Sequence, residues 1–221
     1  MQTRYIILLI IFAIGVTTGT ILLKPKSEKK SLKIFNPTDV DKKLVDSTLQ
    51  GIGRGHQTQN FSFKNQLGET ITQTTIKNKV FVVDYFFTTC NSICPIMTGQ
   101  MKRVQAAFLN RKDFLILSHT VWPEVDSVEQ LRKYASEKAV VSGKWHLLTG
   151  KKEELYKLAR KSYFVLKPKE AEDVGDGNSD FIHTNNFVLI DRQRRIRGYY
   201  DGTDSTEVTN LINDIKTLLK E

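Results

Sequence analysis

The residues best suited to chemistry in this chain of 221 are its two cysteines, Cys90 and Cys94, set four apart. A thiolate attacks disulfides and binds soft metal ions, so the pair admits two chemistries. C-x-x-x-C is one residue longer than the C-x-x-C of ordinary dithiol exchange, and the slack lets both sulfurs face one ion. The same pair closes a disulfide wherever the loop brings the two Cα atoms within about 7 Å. A braced secreted scaffold would need more cysteines at longer spacings. Two small residues buried in a core are the plain alternative, and the spacing alone does not choose between these readings. Two thiolates by themselves suit copper(I), and an added nitrogen donor makes copper(II) acceptable as well.

Four histidines could supply that nitrogen. His183 lies just before the apolar run from Phe187, where a loop can aim it at a neighbouring site; in isolation it reads more readily as a surface residue than as a ligand. His119 closes the run from Phe114. If the strands are parallel it sits on the same sheet edge as the cysteines, where it could support a ligand from behind, although a plain strand-end residue is the favoured reading. His146, between Trp145 and Leu147, reads as structural, and His56, in the glycine-rich Gly51–Gly55 region, reads as exposed. The chain has no H-E-x-x-H or four-ligand zinc pattern, no complete catalytic triad, no phosphate-binding glycine loop and no paired-carboxylate hydrolase pattern.

The elements that must position these residues follow from periodicity. Val80–Phe87 is a continuous apolar run broken by Asp84, which predicts a central strand covered on both faces. The cysteines follow it, and Met97, Met101, Val104 and Phe108 then mark one face of a helix. Pro95 suits a first helical turn, where its missing N–H is no loss. Cys94 is therefore expected at a helix N-terminus, where the dipole should lower its pKa. Phe61 to Thr75, turning at Gly68, predicts a β-hairpin. Phe114–Leu117 and Trp145–Leu148 predict further strands, and Asp126–Glu129 resembles a capping box opening a helix through Tyr134. A helix over Glu153–Lys161, a polar loop over 167–180 and a hairpin of Phe187–Ile190 with Ile196–Tyr200 complete the body. Asp204 and Glu207 cap a last helix with the apolar face Val208, Leu211, Ile212, Ile215 and Leu219. Alternating strands and helices imply an α/β sandwich around a mixed sheet.

Tyr5–Leu23 contains no charge, and its 19 residues would make a helix about 28 Å long, close to the thickness of a bilayer core. The run is longer than the apolar region of a signal peptide, so residues 1–23 are expected to be an uncleaved membrane anchor. Residues 24–59 then read as a tether and approach segment, and 60–221 as the folded domain. The 33 Lys and Arg against 24 Asp and Glu give a formal charge of +9. They are spread along the chain without a nucleic-acid motif, so a nucleic-acid partner is not expected. Lys24, Lys26, Lys29 and Lys30 read as a membrane-surface flank. With only Arg4 and the terminal amine before the helix, the positive-inside rule by itself would put the domain in the cytoplasm.

Together these segments resemble the Sco/SenC family of copper proteins over residues 57–218. Val83–Met97 is similar to the family's strand and C-x-x-x-C-P signature, and Asn60–Gly68 to its opening hairpin. Leu117–Glu124, with Asp126 and Tyr134, is similar to a segment ending in its "DPe-D" motif. Trp145–Gly150 resembles "W-x-x-L-T-G", and Asp180–His183 with Phe187–Asp191 resembles the stretch carrying the histidine ligand. The departures are Trp122 where an Asp usually precedes Pro123, Ser92 for the Asp between the cysteines, and a basic turn with Arg192, Arg194, Arg195 and Arg197. The resemblance implies a thioredoxin-like fold with a central mixed sheet, an N-terminal β-hairpin extension and one preceding transmembrane helix. It implies one copper, I or II, on Cys90, Cys94 and His183, with Cys90 and Cys94 also able to form a redox-active disulfide. It implies a domain on the outer, periplasmic side of a bacterial inner membrane that assists assembly of cytochrome c oxidase. The partners implied are the oxidase's copper-centre subunit and a copper donor protein. A thiol-disulfide oxidoreductase or redox sensor using the same cysteines without obligatory metal is the alternative.

Overall fold

The computed structural model describes Tyr5 and residues 31–165 and 184–221. The apolar run to Leu23, the loop 167–180 and His183 therefore lie outside the described residues, apart from Tyr5. Among the described residues no helix is long and apolar enough to cross a membrane. Two compact units divide at Ser31, and the second, Leu32–Glu221, holds the sheet and both cysteines.

A seven-stranded mixed sheet forms its centre, in the order β2-β1-β5-β4-β3-β6-β7. β1 (Ser62–Asn65) and β2 (Thr70–Thr72) are the expected hairpin, added antiparallel to the edge of β5 (Trp145–Thr149). β3 (Val80–Phe86), β4 (Phe114–Thr120) and β5 run parallel. β6 (Asn186–Ile190) pairs antiparallel with β3, and β7 (Ile196–Asp201) closes the far edge. Every residue of β3, β4 and β5 is buried, as parallel strands covered on both faces require.

Alternation along β3 builds two cores. Val80, Val82 and Phe86 face α1 (Ile93–Ala107), α2 (Val128–Glu137) and α4 (Ser205–Leu218), through Met97, Met101, Leu131, Leu211 and Ile215. Phe81, Val83 and Tyr85 face α3 (Lys152–Leu158), the π turn Ala159–Tyr163 and the chain before β1. Asp204 caps α4 as expected, accepting from Thr206 N and Glu207 N.

Three local expectations are corrected. α2 is capped by Ser127, whose hydroxyl accepts from Gln130 N, and Asp126 is used elsewhere. β4 runs three residues beyond Leu117, because Ser118, His119 and Thr120 are buried and remain in register with β3. His56 is buried: its Nε2 lies 3.0 Å from the Ser162 carbonyl, and its ring packs 4.5 Å from Phe164. The chain around it is anchored as well. Phe35 N donates to Ile196 O at 2.9 Å, and Arg197 donates to the carbonyls of Leu32 and Lys33.

Candidate metal centre

The loop from β3 to α1 leaves the carboxyl end of a central parallel strand, the place where open α/β sheets bind ligands. Asp126 anchors it. Buried at the start of the segment leading to α2, Asp126 accepts from Thr88 N at 3.3 Å, from Thr88 Oγ1 at 2.5 Å and from Thr120 Oγ1. Gln130 Nε2 adds a bond to Thr88 Oγ1 at 3.1 Å. Thr88 is thereby held two residues before Cys90, and Cys90 N closes a turn onto Phe87 O at 3.2 Å.

Helix α1 starts at Ile93, so Cys94 and Pro95 lie in its first turn, as expected. Ser92, at the N-cap, makes no side-chain cap bond. Its hydroxyl lies 3.5 Å from Cys90 Sγ in a hydrogen bond instead. The two cysteines are unbridged.

Their environments differ. Cys94 is buried against Met97 and Met101, while Cys90 is half-buried beside Phe87 and Ile93. Partial burial opposes ionisation of Cys90. Hydrogen bonds from the Cys94 thiol, the Ser92 hydroxyl and the N–H groups of residues 94 and 92 outweigh it, holding Cys90 below the ordinary thiol range. Burial pushes Cys94 up to about 12, and the hydrogen bond to Cys90 adds to the rise. The expectation of a lowered pKa at Cys94 is therefore reversed. Desolvation outweighs the helix terminus, and the terminal N–H groups serve Cys90.

Beneath the thiols, on the same face of β3, lies Asp84. Ser118, its register partner on β4, donates to its carboxyl, and Trp145 Nε1 donates to Ser118 Oγ at 2.7 Å. Burial pushes the Asp84 carboxyl up to about 7 against that bond. Nothing in the sequence beyond a lone charge in an apolar run marked it. Tyr134 bonds Thr98 Oγ1 at 2.9 Å, and burial raises its phenol to about 12. Trp122, the residue departing from the family pattern, packs edge-on to Phe87 with ring centroids 6.2 Å apart.

Of the other histidines, His119 is a strand residue and is misplaced for a supporting role. It faces the opposite side of the sheet from Cys94, its ring stacked 5.3 Å from Tyr85 and set against Phe63 and Tyr163. Among the described residues neither of its ring nitrogens has a hydrogen-bond partner, and burial drives its pKa to about 3. Strand alternation explains this, because His119 follows Ser118 and must point the other way. His146 is structural as expected, with Nδ1 3.2 Å from Asn65 Nδ2. His183 lies outside the described residues, and among the described ones no three metal-binding side chains gather.

A thioredoxin-like sheet carrying a dithiol where its central strand turns into a helix defines a class of thiol and metal-binding domains. Comparison with known proteins narrows it. The SCO1/SenC family model matches residues 50–220, and the chain belongs to that family. It is 31% identical over 165 residues to the SCO1 protein homolog of Bacillus subtilis, covering 73% of this chain and 82% of that protein. A SCO1/SenC family lipoprotein from Bacillus anthracis superposes with a TM-score of 0.65 at 30% identity, over 74% of this chain and 95% of that one. BsSco, a member of the Sco family of cytochrome c oxidase assembly proteins in which a disulfide switch has been identified, superposes with a TM-score of 0.62. It is 30% identical over 74% of this chain and 93% of its own.

Proposed function

We propose that the protein binds one copper ion as cargo on Cys90, Cys94 and His183 and assists assembly of the binuclear copper centre of cytochrome c oxidase. The observation that carries this reading is the unbridged thiol pair at the strand-to-helix junction of a Sco-family domain. Two such sulfurs are the donors a soft ion selects, and an imidazole would extend the set to copper(II). Binding displaces the thiol protons, so affinity should rise with pH. The raised Cys94 carries that dependence to higher pH. A low-coordinate site leaves room for a partner's thiolate, so cargo can pass by ligand exchange from a copper donor protein and on to the oxidase subunit. In this reading residues 1–23 anchor the protein and the domain faces the outer side of the membrane.

The thiol environments favour a second reading. Cys90 is half-exposed with a lowered pKa and Cys94 is buried behind it, which suits an attacking and a resolving thiol. The Cys90 thiolate would attack a target disulfide and release one target thiolate. Deprotonated Cys94 would then attack Cys90 Sγ, close the intramolecular bond and release the second, moving two electrons to the target. BsSco, with its disulfide switch, supports this use of the pair. His183→Ala separates the readings. Loss of oxidase assembly and of a thiolate-to-copper(II) band, with disulfide reduction intact, supports the copper role. Retention of both assembly and the band contradicts it.

A further inference from the structure

The end of the sheet remote from the thiols carries a second site. A cavity of about 390 Å³ opens between the loop from β2 to β3, the turn from β6 to β7 and the chain before β1. Lys77, Arg192 and Arg194 bring three cations to it, and Asn60, Gln73 and Asn78 are among the neutral side chains between them. All nine lining side chains carry a hydrogen-bond donor, and none is acidic or apolar. Random surface composition would mix carboxylates into such a lining.

Two of the three cations, Lys77 and Arg194, are presented rather than consumed. Arg194 Nη1 donates to Asn60 Oδ1 at 2.7 Å, a neutral acceptor that orients the guanidinium and leaves its charge uncompensated. The Arg194 carbonyl accepts from Thr58 N at 2.9 Å, pinning the turn to the chain before β1. Lys77 is exposed, and neither it nor Arg194 has an ion-pair partner among the described residues. Arg192 spends its donors on the Leu218 and Leu219 carbonyls and on Asp113, and adds net positive charge at the rim because Arg111 holds the same carboxylate at 2.8 Å. A guanidinium fork, an ammonium and several amide donors around one cavity match a group with many acceptor oxygens and more than one negative charge. A single carboxylate, with two oxygens and one charge, would leave most of the donors without a partner.

We propose that this cavity is a binding site for a phosphate-bearing anion, distinct from the thiol site and independent of the copper reading. The source of the phosphate is either a soluble phosphoanion or the headgroup of an anionic phospholipid.

The test uses the metal-free full chain in nonionic detergent and pyrophosphate as the probe, followed by calorimetry at low ionic strength. Saturable binding at one site with Kd below about 1 mM is expected, with no comparable binding of acetate. Lys77→Gln/Arg194→Gln should weaken it about tenfold or more, and Lys77→Gln alone, at an exposed side chain, about threefold. The charge-matched control Lys102→Gln/Lys133→Gln should stay within about twofold. Competition by phosphatidylglycerol-doped micelles, but not phosphatidylcholine-doped ones, assigns the phosphate to a lipid headgroup; no competition by either assigns it to a soluble anion. Heat that never saturates, acetate binding as well as pyrophosphate, or equal weakening in both double variants overturns the site.

Discussion

Asp84→Asn should make the protein more stable at alkaline pH, a direction opposite to that of most substitutions in a buried strand. The Asp84 carboxyl titrates near 7 in the fold against 3.8 as a free side chain, chiefly because burial penalises its charge. Because the folded pKa is raised, the carboxyl's contribution is present in full below pH 3.8. It is lost as pH rises through about 7, when the folded state must carry a buried charge. At about 1.4 kcal/mol for each pH unit between the two values, the loss amounts to about 4 kcal/mol. Asparagine keeps an oxygen for the Ser118 hydroxyl and cannot ionise. The buried His56, His119 and His146 have lowered pKa values and act in the opposite sense, since protonation of the unfolded chain costs stability as pH falls below 6.5. The informative quantity is therefore the difference between wild type and variant at each pH. Urea denaturation of the metal-free protein between pH 4 and 8 should show that difference growing by about 4 kcal/mol in favour of Asp84→Asn. Trp145 bonds Ser118, which bonds Asp84, so its fluorescence should titrate near pH 7 in wild type and stay flat in the variant. A constant stability difference across this range, or a fluorescence transition that survives the substitution, would refute the assignment of a protonated carboxyl beneath the thiols.

Iodoacetamide should modify Cys90 at least about 100-fold faster than Cys94 at pH 7, read by peptide mass after quenching, because burial both shields Cys94 and raises its pKa. Asp126→Ala strands the donors of Thr88 and Thr120 and should cost about 2–4 kcal/mol in denaturant titration. The same change frees the loop before Cys90 and should weaken copper binding about tenfold in a competition assay. His119→Leu removes two nitrogens that have no hydrogen-bond partner among the described residues and a group whose neutral form the fold requires. The stability lost between pH 6.5 and 4 should shrink by about 3 kcal/mol, with the copper spectrum unchanged.

The strands and helices were legible because their burial is two-sided or periodic. The unbroken apolar run of β3 and the three-to-four spacing along α1 leave few alternatives. What escaped was polar residues buried through partners distant in the chain. Ser118 and Thr120 look like the end of a strand until Asp84 and Asp126 are seen to accept their hydroxyls. Asp126 looks like a helix cap because Ser127, one residue on, is an equally good one. His56 sits among glycines, and its burial depends on a carbonyl 106 residues away in a π turn that no local pattern announces. At the site the thiol pair and its junction were readable, but the order of their acidities was not. That order depends on which thiol the fold buries and which one receives the terminal N–H groups.

X-ray absorption at the copper edge of the loaded protein tests the central claim most directly. The account predicts two sulfur scatterers and at least one imidazole nitrogen about one copper per chain, with one sulfur lost in Cys90→Ser or Cys94→Ser and the imidazole signal lost in His183→Ala. A copper shell made of oxygen and nitrogen alone, or one that is the same in all three variants, would contradict it.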